Sequence, residues 1–212
     1  MNQIVGGGGL IKQFAKTLTS FFMHEMIIES EDYEVYLYGT EQLLINLSIL
    51  LVVITTSAIT GWWKETFFFF FGIIPIRVVA GGYHASTPFR CNILTIVVYI
   101  VNLLLINALV SRMTVLVLIM MFGFIVLSVF RIGPVDNKNR EIKNREYESV
   151  WKRSKKVCIF IVMICVVQLL LLGPQSSILM STLMGAVVAT ISLIIGSIVR
   201  GGERNEENRF CT

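Results

Sequence analysis

RVVAGGYHASTPFRCN, residues 77–92, interrupts two apolar runs and decides where the chain turns. Gly81 and Gly82 permit a backbone turn closed to other residues, and Pro88 discourages a continuous helix through the stretch. His84 and Cys91 lie on either side of residues 85–88, in a chain with only two histidines and four cysteines. On one straight helix, residues seven apart share a face but stand roughly 10 Å apart, beyond a hydrogen bond of about 3 Å. A turn over 86–88 folds His84 back towards Cys91. A cysteine nucleophile attacks as the thiolate and needs a nearby base, and this stretch supplies both. The competing reading is structural, with Cys91 a small buried hydrophobe at the start of a helix and His84 an interfacial residue capping the loop.

Around this stretch the chain is too apolar for a soluble domain: 55% of its 212 residues are hydrophobic and its mean hydropathy is +0.74. It reads as one all-α, polytopic membrane domain with about six spans, at 43–60, 62–80, 93–111, 113–130, 157–173 and 178–199. Runs of about 18 apolar residues cover roughly 30 Å of hydrocarbon. The second run carries Trp62 and Trp63 as headgroup anchors, Pro75 as an expected kink and Arg77 as a snorkelling cation, so it either crosses fully or re-enters. The third and fourth meet at Ser111 and Arg112, which forces a hairpin. The N-terminus shows no charged region feeding an apolar one and no cleavage site, so no removable signal peptide is expected. Gly6 to Gly9 read as a flexible linker. Residues 10–30 place Leu10, Phe14, Leu18, Phe21, Phe22 and Met26 at helical spacing, with Lys12, Gln13 and Lys16 elsewhere; this predicts an amphipathic interfacial helix, with His24 in a surface role. Glu29, Glu31, Asp32 and Glu34 mark a solvated segment before the first span.

The polar segment 131–156 carries nine Lys or Arg against four acidic residues, so it is expected as a cytoplasmic loop drawn to anionic membrane lipid. Two spans separate it from the His84 and Cys91 stretch, which places both on one side, together with the two termini. Only Lys64 and Arg112 of the 18 basic residues then fall outside. Asn46, Asn102, Asn107 and Gln168, inside spans, are expected to face protein or a water-filled cavity. Cys158 and Cys165 read as packing residues. Cys211 lies in a polar tail, so no secreted disulfide framework is expected. One histidine beside one cysteine falls short of a zinc site, so neither metal nor other cofactor is expected, and no nucleic-acid partner.

The string R-x6-H-x6-C, with GGYHA around His84 and apolar helices on both sides, resembles the accessory gene regulator B family of membrane peptidases. YGTEQLL at 38–44 and GPVDNKN at 133–139 extend the resemblance over most of the chain. It implies that His84 and Cys91 are the catalytic pair, that Arg77 and Gly82 belong to the motif, and that the protein is a homodimeric cysteine endopeptidase of the bacterial cytoplasmic membrane. The implied substrate is a quorum-sensing signal precursor of the accessory gene regulator D type, cleaved through a Cys91 thioester and cyclised to a thiolactone or lactone. Cys91 precedes the apolar run from Ile93, so it is expected near a helix N-terminus, where the macrodipole favours a thiolate. Ser86, Thr87 and amides around Cys91 are candidates to hold the imidazole or the oxyanion. Arg77 is a candidate to bind a substrate carboxylate or phospholipid. Lys152, Arg153, Lys155 and Lys156 are candidates to dock the acidic tail such precursors carry. A transporter or scaffold is the alternative, although no paired repeat of discontinuous helices supports transport.

Overall fold

The computed structural model describes residues 8–83, 88–135 and 144–210. The described residues form seven α-helices and short turns, without a strand: α1 Gly8–His24, α2 Tyr33–Thr60, α3 Trp63–Ala80, α4 Pro88–Leu109, α5 Val115–Ile132, α6 Asn144–Leu172 and α7 Ser177–Phe210. Single 3-10 turns at Ser30–Asp32 and Val110–Arg112 precede α2 and follow α4. Chain contacts group the described residues into two compact units, within Met1–Gly61 plus Ala85–Tyr99 and within Trp62–His84 plus Ile100–Thr212.

In the first unit α1 packs on α2 through small side chains. Ala15 and Thr19 are fully buried, and the Thr19 hydroxyl donates to that of Thr40 at 3.4 Å. Phe14 and Phe21 face outward. The N-terminal helix is shorter than the 10–30 expected from periodicity: Met26 takes φ 55°, its N–H bonds Met23 O at 3.1 Å, and Ile27 N–H bonds Phe22 O at 2.9 Å. This double closure ends a helix at a left-handed residue, usually glycine, and side-chain periodicity carries no trace of it. Helix α2 starts ten residues before the expected span and ends at left-handed Gly61 (φ 72°). Its Ser48, Thr55, Ser57 and Thr60 hydroxyls each donate to the carbonyl four residues back, at 2.7–2.8 Å. That internal bonding makes polar side chains tolerable in a helix surrounded by hydrocarbon. Ser57 also meets Tyr99 Oη at 3.2 Å.

The second unit is built around α7. Over half (56%) of its apolar window is buried, against 22% for the windows of α5 and α6. The most extensive pairing in the chain is α3 on α7, and two glycines make it possible. A Cβ on Gly72 would collide with Thr182 O, and one on Gly185 with Phe69 O, each well inside the 3.0 Å that real Cβ atoms keep. The two backbones therefore touch, as small residues allow at membrane helix crossings. At one end of the unit the Ser177 hydroxyl donates to Glu65 Oε1 at 2.8 Å and the Gln175 amide to Ser111 O at 3.5 Å. Helix α3 stays helical through Pro75.

Among the described residues four helices are long and apolar enough to cross a membrane: Tyr33–Thr60, Val115–Ile132, Glu146–Leu172 and Ser177–Val199. The segments expected as spans at 62–80 and 93–111 are also helical, but α3 carries Lys64, Glu65 and Arg77, and the apolar part of α4 is the shorter Ile93–Ile106. The basic segment expected as a loop to residue 156 is corrected: α6 begins at Asn144, so its second half is a helical extension of the following apolar helix. Helical charges at i and i+4, such as Glu148 and Lys152, favour continuation over a break. Asn46 is exposed on α2, and the Asn107 side chain lies outside the described residues. Asn102 and Gln168 are buried, with both amide atoms of each unpartnered among the described residues.

Candidate functional site

The geometry around the GGYH string is set by the way the chain leaves α3. The helix closes with Gly81 N–H on Arg77 O at 3.1 Å, and the chain exits through Gly81 (φ 80°) and Gly82 (φ 149°), backbone regions that a β-carbon disfavours. Space excludes a side chain as well. A Cβ on Gly81 would stand 2.5 Å from Val135 O, and one on Gly82 2.9 Å from Ser192 Oγ. Two neighbouring elements hold this turn. Val135 N–H donates to Ala80 O at 2.9 Å, and Tyr83 N–H donates to Ser192 O, on α7, at 2.8 Å. Arg77 Nη2 donates to Tyr83 O at 2.7 Å, so both main-chain groups of the residue before His84 are bonded.

The Ser192 carbonyl is reachable because Gly196 lies one turn on. Side chains tilt towards a helix N-terminus and cover the turn before them; a Cβ on Gly196 would stand 2.7 Å from both Gly82 C and Tyr83 N. Sequence reasoning missed Tyr83, Val135, Ser192 and Gly196. The one signal was glycine inside an apolar helix, which marks close backbone approach without naming the partner.

Among the sequence-predicted residues, Gly82 lies in this turn, and Arg77 bonds main chain through one of its five N–H donors. Cys91 lies in the first turn of α4, which begins at Pro88, the proline position favoured at helix starts. His84, Ser86 and Thr87 lie outside the described residues, as does the Cys91 side chain. The basic residues divide. Lys152 pairs with Glu148 at 2.7 Å. Lys155 sits 3.1 Å from the ring centre of Trp151 and 4.8 Å from that of Phe130, tying the basic first half of α6 to the end of α5. Arg153 and Lys156 are exposed, with no ion pair among the described residues. Because Phe130 lies just before the Gly133–Val135 segment that bonds Ala80, the basic end of α6 and the Gly81–Tyr83 turn occupy the same end of the second unit. Cys158 and Cys165 are buried free thiols on α6, and His24 is exposed beside Glu25.

With four membrane-length apolar helices and no strand among the described residues, and a glycine turn held beside α7, this is a helical membrane protein. It belongs to the accessory gene regulator B family, whose model matches residues 15–194 and so runs from within α1 to the middle of α7. Membership gives the protein a role in the accessory gene regulator system. No curated protein and no solved structure matches the chain significantly.

Proposed function

We propose that the protein is a membrane cysteine endopeptidase that cleaves the C-terminal tail from a signal-peptide precursor of the accessory gene regulator D type and promotes its cyclisation. His84 takes the Cys91 thiol proton as the thiolate attacks the carbonyl at the junction. It then returns that proton to the departing amine, leaving the signal segment as a Cys91 thioester. A nucleophilic side chain of the peptide displaces Cys91 and closes a thiolactone or lactone, and the cysteine regains its proton. The exchange keeps the acyl bond energy, which hydrolysis would waste, so a site that restricts water at the membrane edge suits it.

The observation that carries this reading is the fixed main chain directly before His84, with Tyr83 N–H on Ser192 O and Tyr83 O on Arg77. Proton transfer gains from a group held in position, and these bonds hold the main chain that leads into His84. Arg77 acts here through Tyr83. The helix N-terminus at Cys91 favours a thiolate. We place six crossings in the cytoplasmic membrane, a homodimer in contact with anionic lipid, and both termini and the site on the cytoplasmic face, where the excess of Lys and Arg belongs.

Co-expression with a precursor in membranes tests the reading by mass spectrometry. Cys91→Ser and His84→Ala should each insert normally and abolish cleavage, and wild-type protein should carry a hydroxylamine-labile peptide on Cys91. Processing at the wild-type rate by either variant sinks the mechanism and leaves transport or scaffolding.

A further inference from the structure

We infer that Gly196, on α7, is a positioning residue for His84: by lacking a side chain it leaves the Ser192 carbonyl open to the Tyr83 N–H and so fixes the main chain that carries the histidine. The inference rests on the peptidase reading above and goes beyond it, because Gly196 lies past the residues matched to the family and outside the string that carries the resemblance.

Three observations converge. The first is the Tyr83 N–H bond to Ser192 O at 2.8 Å, which spans more than a hundred residues of sequence. The second is the spacing: a β-carbon at 196 would stand 2.7 Å from the main chain of both Gly82 and Tyr83, and such backbone atoms cannot swing aside as a flexible side chain does. The third is the opposing wall. Val135 bonds Ala80, and its carbonyl lies against Gly81, so the turn is held between the Val135 segment and α7 and has no free direction of retreat on that side. An alanine at 196 therefore breaks the Tyr83 bond and moves the peptide unit that leads into His84. The rest of the α3 and α7 pairing, centred on Gly72 and Gly185 three turns away, stays in place.

The test reads the pairing of His84 with Cys91 without substrate. In full-length protein in membranes, with Cys158, Cys165 and Cys211 replaced by Ala, Cys91 is the sole thiol, and its alkylation by iodoacetamide is followed from pH 5.5 to 9. A histidine-paired thiolate persists at low pH, whereas an ordinary thiol with pKa near 8.5 is about 1% ionised at pH 6.5. Gly196→Ala should behave like His84→Ala, with alkylation at pH 6 reduced roughly tenfold or more, and should lower kcat for precursor cleavage with KM little changed. Gly123→Ala, on α5 with nothing within 4 Å of the new methyl, should match the parent. A merely structural loss of stability would not convert the pH profile of the folded fraction into that of an unpaired thiol. If Gly196→Ala keeps the parent profile while His84→Ala loses it, the inference is overturned and the peptidase reading stands. If the parent itself titrates as an ordinary thiol and His84→Ala changes nothing, the pairing is overturned and the inference with it. Should Gly196→Ala fail to accumulate, hydrogen exchange on the parent decides: a Tyr83 amide protected like the core of α7 supports the inference, and one exchanging at the rate of an open loop overturns it.

Discussion

Replacing Gly185 by alanine places a methyl group against Phe69 O and within 3.1 Å of Ile73 N, both main-chain atoms of α3. Reaching ordinary contact beyond 3.4 Å requires α3 and α7 to part by about 1 Å at their crossing. A gap of that size forfeits a quarter to a half of each contact's attraction. The side chains around the crossing, among them Phe69, Ile73, Leu183 and Ala186, are all buried. Taking on the order of 40 atom pairs at ~0.15 kcal/mol each, a loss of one third amounts to about 2 kcal/mol, within the usual cost of overpacking. For a chain of this size that lowers the unfolding midpoint by about 4–8 °C. Thermal unfolding in mild detergent measures it, with Gly123→Ala as the control for the change in backbone entropy. Gly72→Ala should behave like Gly185→Ala, because its methyl meets Thr182 O and Ala186 N from the other side. The double variant should cost less than the sum, since helices already parted admit the second methyl. If both single variants unfold within ~1 °C of Gly123→Ala, the two backbones are not in contact and the account of the α3 and α7 pairing is wrong.

Two further outcomes are expected. Arg153→Glu with Lys156→Glu should raise KM for precursor and weaken its salt dependence, since these two cations are exposed and screening acts over about 8 Å at physiological ionic strength; unchanged KM and salt dependence in a correctly inserted variant would leave the basic segment a topological role alone. Asn102→Leu should raise the unfolding temperature, because a buried amide with no partner, as Asn102 has none among the described residues, costs about 1–3 kcal/mol; a lower temperature would show that the amide is bonded in the membrane.

Much of the architecture was legible from the chain alone, because hydrophobic length and charge asymmetry are local properties. The runs expected to end at Thr60, Phe130, Gly173 and Val199 stand out as apolar stretches of membrane length, and the four corresponding helices end within two residues of them or continue as helix. The ends of α1 and the start of α6 were less legible. Met26 adopts a left-handed conformation that its side chain does not announce, and the polar residues from Asn144 are helical as the extension of an apolar helix.

The sequence by itself determined the membrane class and the family and nominated Arg77, His84 and Cys91 for the proposed chemistry, since a motif at intervals of seven is written in the order of residues. It did not reveal that GGYH and GPV, some fifty residues apart, meet at Ala80 and Val135, or that α7 reaches the first of them through Ser192. Those contacts depend on how α3, α5 and α7 stack, and that stacking is set by backbone approach at Gly72, Gly185 and Gly196. A glycine in an apolar run records only that something comes close; which element comes close is decided when the helices pack.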